Sequence, residues 1–314
     1  MAEPARVYST GSILVDLAID VPSLPERGGD VLASGTRTLV GGGFNLAAAV
    51  ARQQVPCCYG APHGTGRYGD LVRAALASEG IETAGMQRPD GDTGFCLALI
   101  EPDGERTFVT MPGVEAQLRA DELAAVPVTP GDLVAVSGYD LLYPGSGAVL
   151  AQWVGDLDGS ARVALDPGPL VCDIPTERLA GVLGAVSVLT LNQREARLLG
   201  AAPDACGPVL LAALRAGLRD RMGLRPSALL VVREGPAGCL AIGGELGDRV
   251  VGVPAPRVRA VDTTGAGDTH TGVLLAELAR GRAVEAALGT ANRAAAISVT
   301  RVGSATSPRR AELT

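Results

Sequence analysis

At 314 residues, with 47% hydrophobic and 19% charged side chains, the chain has an ordinary globular composition and ample material for a core. Its net charge of −7 argues against a general nucleic-acid or anionic-membrane binder, because both need a basic face. The sequence contains no lysine, which excludes a Walker-A P-loop, a protein kinase and a Schiff-base enzyme.

Targeting and metal signals are also absent from the sequence. No apolar run approaches the roughly 20 residues of a membrane span, and the opening stretch has acids and a proline where a signal peptide is basic and then apolar. We therefore expect a cytoplasmic protein with no membrane or nucleic-acid partner. Six scattered cysteines without a CxxC pair, and only two histidines, argue against a zinc site.

Strand-like apolar runs alternate with helix-like segments along most of the chain. The strand-like runs are residues 7–20, 132–138, 161–168, 187–191 and 228–235, and the first helix-like segment is 44–53. This alternation predicts an α/β fold with a parallel sheet covered on both faces. Ligands of such sheets bind beyond the carboxyl ends of the strands.

Two segments interrupt the alternation. Residues 17–40 and 92–112 contain short strand-like runs with turn signals such as PDG. We expect them to form a small antiparallel sheet that acts as a lid on a single domain spanning residues 1–314.

The stretch AVDTTGAGDTHTG, residues 260–272, is a glycine-bearing turn that opens a helix. Such a helix start suits an anion, and Gly265 and Gly267 let it approach the backbone. Asp268 would then stand where a base could take a proton from an attacking hydroxyl. The alternative is that Asp268 merely caps the helix. We expect the apolar residues that follow to lie largely on one side of it.

DTTGAGD, residues 262–268, resembles the DTxGAGD signature of the ribokinase-like (PfkB) carbohydrate kinases. The resemblance implies a central, mostly parallel sheet flanked by helices, with a small β-sheet lid. It implies transfer of the γ-phosphoryl group of ATP to a hydroxyl of a sugar or sugar-like polyol, with Mg²⁺ as a cofactor. Gly265, Ala266 and Gly267 would form the anion hole with Asp268, which would be the catalytic base.

The resemblance extends to the stretches GSILVD and GGGFN near the N-terminus. It implies that Asp16, Gly42, Gly43 and Asn45 bind the sugar, and carboxylate and carboxamide groups suit hydroxyls. From the residues alone, Asp16 could equally be a turn residue and Asn45 a helix cap. The lysine of the ribokinase pattern GGKGAN is missing and Phe44 is bulky, which weakens the case for ribose.

Nucleotide and Mg²⁺ contacts are implied in the C-terminal half. Asn192 and Glu195 fit the family's NxxE motif, which organises Mg²⁺ largely through water, although the same spacing is a capping box. VVREGPAGC resembles the nucleotide-contacting TLGxxG turn, so Arg233, Gly235 and Gly238 would lie at the nucleotide, although a simple hairpin explains them almost as well. Asn292 would border the adenine.

A monovalent cation site is implied by AISVTRVGSATS near the C-terminus. The positions at which the family holds K⁺ correspond to Asp262, Thr264, Ser298, Arg301, Gly303 and Ser307. K⁺ activation is therefore a hypothesis. His270 follows the predicted base by two residues, and we interpret it as structural, with contact to the substrate as the alternative.

Three other functions remain open. A nucleoside kinase of the same fold could stack a base on Phe44 or Tyr139, and a phosphosugar kinase would need a basic clamp, for which Arg106 is the candidate. A non-catalytic sugar-binding regulator is the third. A dinucleotide oxidoreductase is excluded because no GxGxxG follows the first strand. An exposed edge of the lid sheet would allow a homodimer.

Overall fold

Short runs rich in valine and leucine form the strands of this α/β protein. The computed structural model describes residues 4–157, 159, 161–201 and 206–313. The strands are β1 (Val7–Ser9), β2 (Ile13–Asp20), β3 (Gly35–Gly42), β4 (Cys57–Tyr59), β5 (His63–Gly64), β6 (Glu82–Thr83), β7 (Gln87–Arg88), β8 (Phe95–Ile100), β9 (Arg106–Met111), β10 (Leu133–Ser137), β11 (Arg162–Asp166), β12 (Val186–Asn192), β13 (Leu229–Arg233), β14 (Cys239–Ile242) and β15 (Val251–Val253). The helices are α1 (Gly43–Arg52), α2 (Arg67–Ser78), α3 (Ala120–Ala124), α4 (Gly138–Leu142), α5 (Ser146–Asp156), α6 (Thr176–Leu183), α7 (Gln193–Leu198), α8 (Gly207–Met222), α9 (Ala266–Ala279) and α10 (Val284–Ser298).

The main sheet of the described residues has nine strands in the order β15-β14-β13-β12-β11-β10-β1-β4-β6. The seven strands β6, β4, β1, β10, β11, β12 and β13 pair in parallel. Strands β14 and β15 pair antiparallel at the other edge of the sheet. The central strands are buried along their length, as in residues 133–136 and 229–232. The mostly parallel sheet predicted from the apolar runs is therefore confirmed.

A separate four-stranded sheet has the order β3-β2-β8-β9. The segment 7–20, which reads as one apolar run, divides after β1, and β2 belongs to this smaller sheet. The expectation of a wholly antiparallel sheet is wrong, because β2 and β8 pair in parallel. Helices α1 and α2 intervene between them, so the chain returns in the same direction. The single domain with lid segments 17–40 and 92–112 stays a prediction.

Helix α9 runs through the interior. Every residue from Thr269 to Ala279 is buried, because α9 packs against both α1 and α10. The expectation of an apolar stripe on one side is therefore wrong, since the helix has no solvent-facing side along this stretch. None of the helices in the described ranges is long and apolar enough to span a bilayer.

Candidate active site

The carboxyl ends of β11, β12 and β13 meet the start of α9 at one cavity of about 570 Å³. Many of the predicted site residues line it. They are Asp16, Gly42, Gly43, Asn192, Glu195, Arg233, Gly265, Ala266, Gly267 and Asp268. Segments far apart in the sequence are thus brought together where parallel sheets bind ligands.

The first turn of α9 faces this cavity. Gly265 precedes the helix with a left-handed φ of +70°, which glycine adopts without strain. The helix then begins at Ala266, and the N–H groups of a first helical turn have no partner within the helix. The turn therefore presents backbone donors and the positive end of a helix dipole to the cavity.

Asn45 is bonded to Asp268 and is not a helix cap. It is the third residue of α1, and its Nδ2 donates to Oδ2 of Asp268 at 2.9 Å. Its Oδ1 accepts the backbone N–H of Ala305 at 2.9 Å. The side chain is buried, so Asn45 fixes the Asp268 carboxylate relative to α1 and the C-terminal loop. The interpretation of Asn45 as a cap is thereby wrong.

Gly41 and Gly43 of the triple glycine have close neighbours where a side chain would lie. A Cβ on Gly41 would lie 2.0 Å from Oδ2 of Asp16, and one on Gly43 would lie 2.1 Å from the carbonyl oxygen of Gly11. The Asp16 carboxylate therefore lies directly over the backbone of β3. Sequence reasoning singled out Gly42 and Gly43 and missed Gly41, although it stands in the same GGG run.

Two of the four acids that line the cavity, Asp16 and Asp268, have pKa values raised to about 6. Burial raises the pKa of Asp16 from 3.8 to about 6, with a further contribution from the charge of Asp268. Burial also raises the pKa of Asp268 from 3.8 to about 6, although the hydrogen bond from Asn45 lowers it. A carboxylate with this pKa is a stronger base than an exposed one and is still ionised at neutral pH.

Arg233 is the only basic side chain among the described residues that line the cavity. Its Nη1 donates to Oδ2 of Asp166 at 2.6 Å, and to Thr271 Oγ1 at 2.8 Å and Thr190 Oγ1 at 3.1 Å. A Cβ on Gly267 would lie 3.6 Å from its Nη2, so the guanidinium lies beside the first turn of α9.

Asp166 was missed by sequence reasoning. It is the last residue of β11 and lines the cavity. The signal was present in the segment ALDPG, because an acid at the carboxyl end of a parallel strand lies where ligands bind.

Asn192 and Glu195 form the capping box that their spacing allows. The N–H of Glu195 donates to Oδ1 of Asn192 at 2.9 Å, and the N–H of Asn192 donates to Oε2 of Glu195 at 2.7 Å. Both residues also line the cavity. Burial, and then the charge of Asp166, raise the pKa of Glu195.

Three predicted nucleotide contacts do not line the cavity. Gly235 and Gly238 lie in the turn between β13 and β14, which form an antiparallel hairpin as the alternative predicted. The amide of Asn292 is buried and donates to the carbonyl of Val253 at 2.8 Å. Contacts of these residues with a nucleotide stay predictions.

His270 is buried in α9. Burial, and then the positive charge of Arg233, lower its pKa from 6.5 to about 3, so the imidazole is neutral. Neither ring nitrogen has a hydrogen-bond partner of ordinary geometry among the described residues. His270 does not line the cavity, which supports the structural interpretation over contact with a substrate.

Comparison with known proteins decides the family. The pfkB family of carbohydrate kinases matches residues 4–311. The chain belongs to this family. An uncharacterized sugar kinase of Escherichia coli, YegV, is 33% identical over 308 residues, covering 98% of this chain and 92% of its own. The protein is therefore an ATP-dependent sugar kinase of the pfkB family.

Solved structures of pfkB-type enzymes share the fold. Ribokinase of Thermotoga maritima superposes with a TM-score of 0.81 at 22% identity, covering 99% of this chain and 98% of its own. Ribokinase of Arabidopsis thaliana, solved with ribose and ATP, superposes with a TM-score of 0.79 at 23% identity, covering 99% and 98%. The predicted ribokinase-like fold class is confirmed.

The site of this pfkB kinase suits Mg²⁺ held mainly through water. The described residues contain no group of three or more His, Cys, Asp and Glu side chains that could hold a metal ion alone. Asp166 and Glu195 nevertheless face the cavity, and Mg²⁺ in phosphate sites keeps several waters and takes one or two carboxylates. The donor set therefore fits the ion together with the oxygens of a nucleotide.

The raised pKa values predict how this kinase responds to pH. Asp268 is the predicted general base, and a protonated carboxyl cannot accept a proton, so we expect kcat/KM to fall as the pH drops below about 6 and to be flat above that value. A coupled assay of ADP release across pH measures the profile. The hydrogen bond from Asn45 stabilises ionised Asp268 and lowers its pKa. Asn45→Ala removes this bond, so it should raise the pKa of Asp268 and move the fall in kcat/KM to higher pH. A wild-type profile that is flat down to the ordinary carboxyl value of 3.8 would contradict the assignment.

Proposed function

We propose that this kinase transfers the γ-phosphoryl group of ATP to a hydroxyl of a neutral sugar or sugar-like polyol, with Asp268 as the general base. One observation carries the proposal. Asp268 stands in the first turn of α9, lines the cavity together with Asp16, and is held there by Asn45. A proton acceptor and an anion-binding helix start thus share one position.

Asp16 would bind and orient the acceptor. Its carboxylate lies over the backbone at Gly41 and faces the same cavity as Asp268, so it can accept hydrogen bonds from acceptor hydroxyls. Asn45 would act on the acceptor through Asp268, because it is buried, does not line the cavity and donates to the Asp268 carboxylate. Asp268 would remove the proton from the hydroxyl that attacks.

Charge on the transferred group would be stabilised at the start of α9. The backbone N–H groups of residues 265–268 and the nearby guanidinium of Arg233 would face the phosphoryl oxygens. Mg²⁺ would be held, mainly through water, by Asp166 and Glu195 together with Asn192, and would neutralise further charge on the phosphates. The small sheet, whose Phe108 and Thr110 line the cavity, would exclude water when closed.

K⁺ has no role in the proposed reaction, because Arg106 already donates to the carboxylate of Asp262, the first residue of the predicted cation site.

The proposed acceptor carries no charge. Asp16 and Asp268 would repel a second phosphate, and Arg106, the candidate clamp for one, does not line the cavity and is bonded to Asp262. A nucleoside is the second candidate. Phe44, one of the two aromatic candidates from the sequence, is buried and does not line the cavity, so stacking on it is ruled out. Tyr139 and Phe108 do line the cavity and are 45% and 58% exposed, so a base could stack on either.

Oligomeric state and cellular location are two further predictions, each supported by a single observation. A homodimer through the small sheet is favoured by the edge strand β9, whose Val109 and Met111 are exposed. A cytoplasmic location is favoured by the sequence alone. Both stay predictions.

The acceptor would be identified by coupled ADP release with Mg-ATP against pentoses, hexoses, ketoses, sugar acids, sugar phosphates and nucleosides. We expect turnover with one neutral sugar and none in the Asp268→Asn variant. A nucleoside as the best acceptor would favour the second candidate. Measurable sugar binding without turnover of any acceptor would contradict the kinase mechanism and favour a sugar-binding regulator.

A further inference from the structure

The turn that precedes the anion-hole residues is organised around the carboxylate of Asp262. Its Oδ1 accepts the backbone N–H of Thr264 and its Oδ2 accepts the N–H of Gly303, both at 2.9 Å. Only 8% of the Asp262 side chain is exposed, and a carboxylate charge at such a position requires a nearby charge of opposite sign.

Arg106 supplies that charge from the small sheet. It is the first residue of β9, and its Nη2 donates to Oδ1 of Asp262 at 2.7 Å. Its Nη1 donates to the hydroxyl of Thr264. The two arms of the guanidinium thus span the turn, and a planar fork of this kind holds two acceptors in fixed positions. The ion pair is largely buried, with 23% of the Arg106 side chain and 8% of Asp262 exposed.

Two further positions of the predicted cation site, Ser298 and Ser307, have carbonyl oxygens that already accept hydrogen bonds. The carbonyl of Ser298 accepts the hydroxyl of Thr306 at 3.1 Å. The carbonyl of Ser307 accepts Nη1 of Arg52 at 2.9 Å, and Arg52 donates to the carbonyl of Ala305 as well. The hydroxyl of Ser307 is buried and has no partner among the described residues, but a bare K⁺ needs a shell of several oxygens. The guanidinium of Arg106, which donates to both Asp262 and Thr264, stands where a cation would bind, so this donor set does not fit a bound K⁺.

We propose that the guanidinium of Arg106 takes the place of the monovalent cation beside Asp262, so that this kinase works without K⁺. The small sheet then does more than cover the acceptor. Because Asp262 and Thr264 lead directly into Gly265, the position of Arg106 fixes the turn from which the anion hole starts. Docking of the small sheet and ordering of the anion hole become one event.

Arg106 is a positioning residue in this scheme, since it does not line the cavity. The proposal rests on the anion hole proposed above, and it makes the response to K⁺ the readout. A merely structural ion pair would not change that response when it is removed.

The experiment compares ADP release, with Mg-ATP and the acceptor found above, in K⁺ and in tetramethylammonium buffers. We expect equal turnover of the wild type in both. Arg106→Met should lose about 10- to 100-fold in kcat without K⁺, as for a lost charged hydrogen bond, and regain activity severalfold with K⁺. Arg106→Lys keeps the charge, so its kcat without K⁺ should lie between those of the wild type and Arg106→Met. Arg37→Met is the matched control, because Arg37 pairs with Asp20 elsewhere in the same sheet.

A wild type that requires K⁺ would overturn the proposal. So would an Arg106→Met variant that keeps full activity, or one whose loss K⁺ does not restore. Calorimetry of Mg-ADP binding in the same two buffers provides a readout that needs no acceptor. K⁺ should strengthen binding to Arg106→Met and leave the wild type unchanged. If no acceptor is found but Mg-ADP binding responds to K⁺ as expected, the result contradicts the proposed function and leaves the role of Arg106 supported.

Discussion

Asp268→Asn should reduce kcat by about 10²- to 10⁴-fold, the usual contribution of a positioned general base. The substitution keeps the size of the side chain and an oxygen for the Nδ2 of Asn45 to reach, but it removes the proton acceptor. Acceptor and nucleotide affinities should change little, because Asp16 and Arg233 remain in place. Coupled ADP release measures the first expectation, and calorimetry measures the second.

The same substitution should stabilise the folded protein at neutral and higher pH. The folded-state pKa of Asp268 is raised from 3.8 to about 6, so ionisation disfavours the native state as the pH rises through this window. The variant lacks that penalty. Its melting temperature should exceed the wild-type value above pH 6, and the difference should shrink toward pH 3.8.

Loss of activity together with a gain in stability separates a catalytic role from a folding defect. An Asp268→Asn protein that is inactive and less stable at every pH would indicate that the carboxylate is structural. An active variant would mean that the proton leaves by another route. Asn45→Ala provides a contrast, because it removes one hydrogen bond to Asp268 and leaves the carboxylate in place.

The parts of the site that lie within one motif were predictable from sequence. The turn at residues 265–268 lines the cavity as expected, because a glycine-bearing helix start is a local feature of the sequence. Asp16 also lines the cavity, although it lies in the middle of β2 and not at a strand end or in a turn. Asn192 and Glu195 also form the predicted capping box. The mostly parallel sheet followed from the apolar runs.

The contacts between motifs were not predictable. Asn45 and Asp268 are 223 residues apart, and their hydrogen bond depends on how α1 packs against α9. Arg106 was read as a clamp for an acceptor phosphate, but the pairing of β9 at the edge of the small sheet directs it to Asp262. Periodicity likewise gave no sign that β2 leaves the main sheet, because β1 and β2 are both apolar.

Arg233→Met should reduce kcat/KM for ATP by about 10²- to 10³-fold, comparable to the loss of one preorganised donor to a charged transition state. Arg233 is the only basic described residue in a cavity that also contains Asp166, Glu195 and Asp268. Without it, three acids would repel the phosphates, and Asp166 would lose its bond at 2.6 Å. Both the affinity for Mg-ATP and kcat should therefore fall.

Arg233→Lys should recover only part of the loss. A single ammonium group restores the charge, but it lacks the planar fork that reaches Asp166 while facing Gly267. Arg215→Met is the matched control, because Arg215 is a similarly buried arginine whose partners, Asp248 and the carbonyl of Pro226, lie away from the cavity. It should lower the melting temperature and leave turnover nearly unchanged. Equal turnover in Arg233→Met and the wild type would mean that Mg²⁺ and the backbone donors alone neutralise the phosphates, and that Arg233 only holds Asp166 in place.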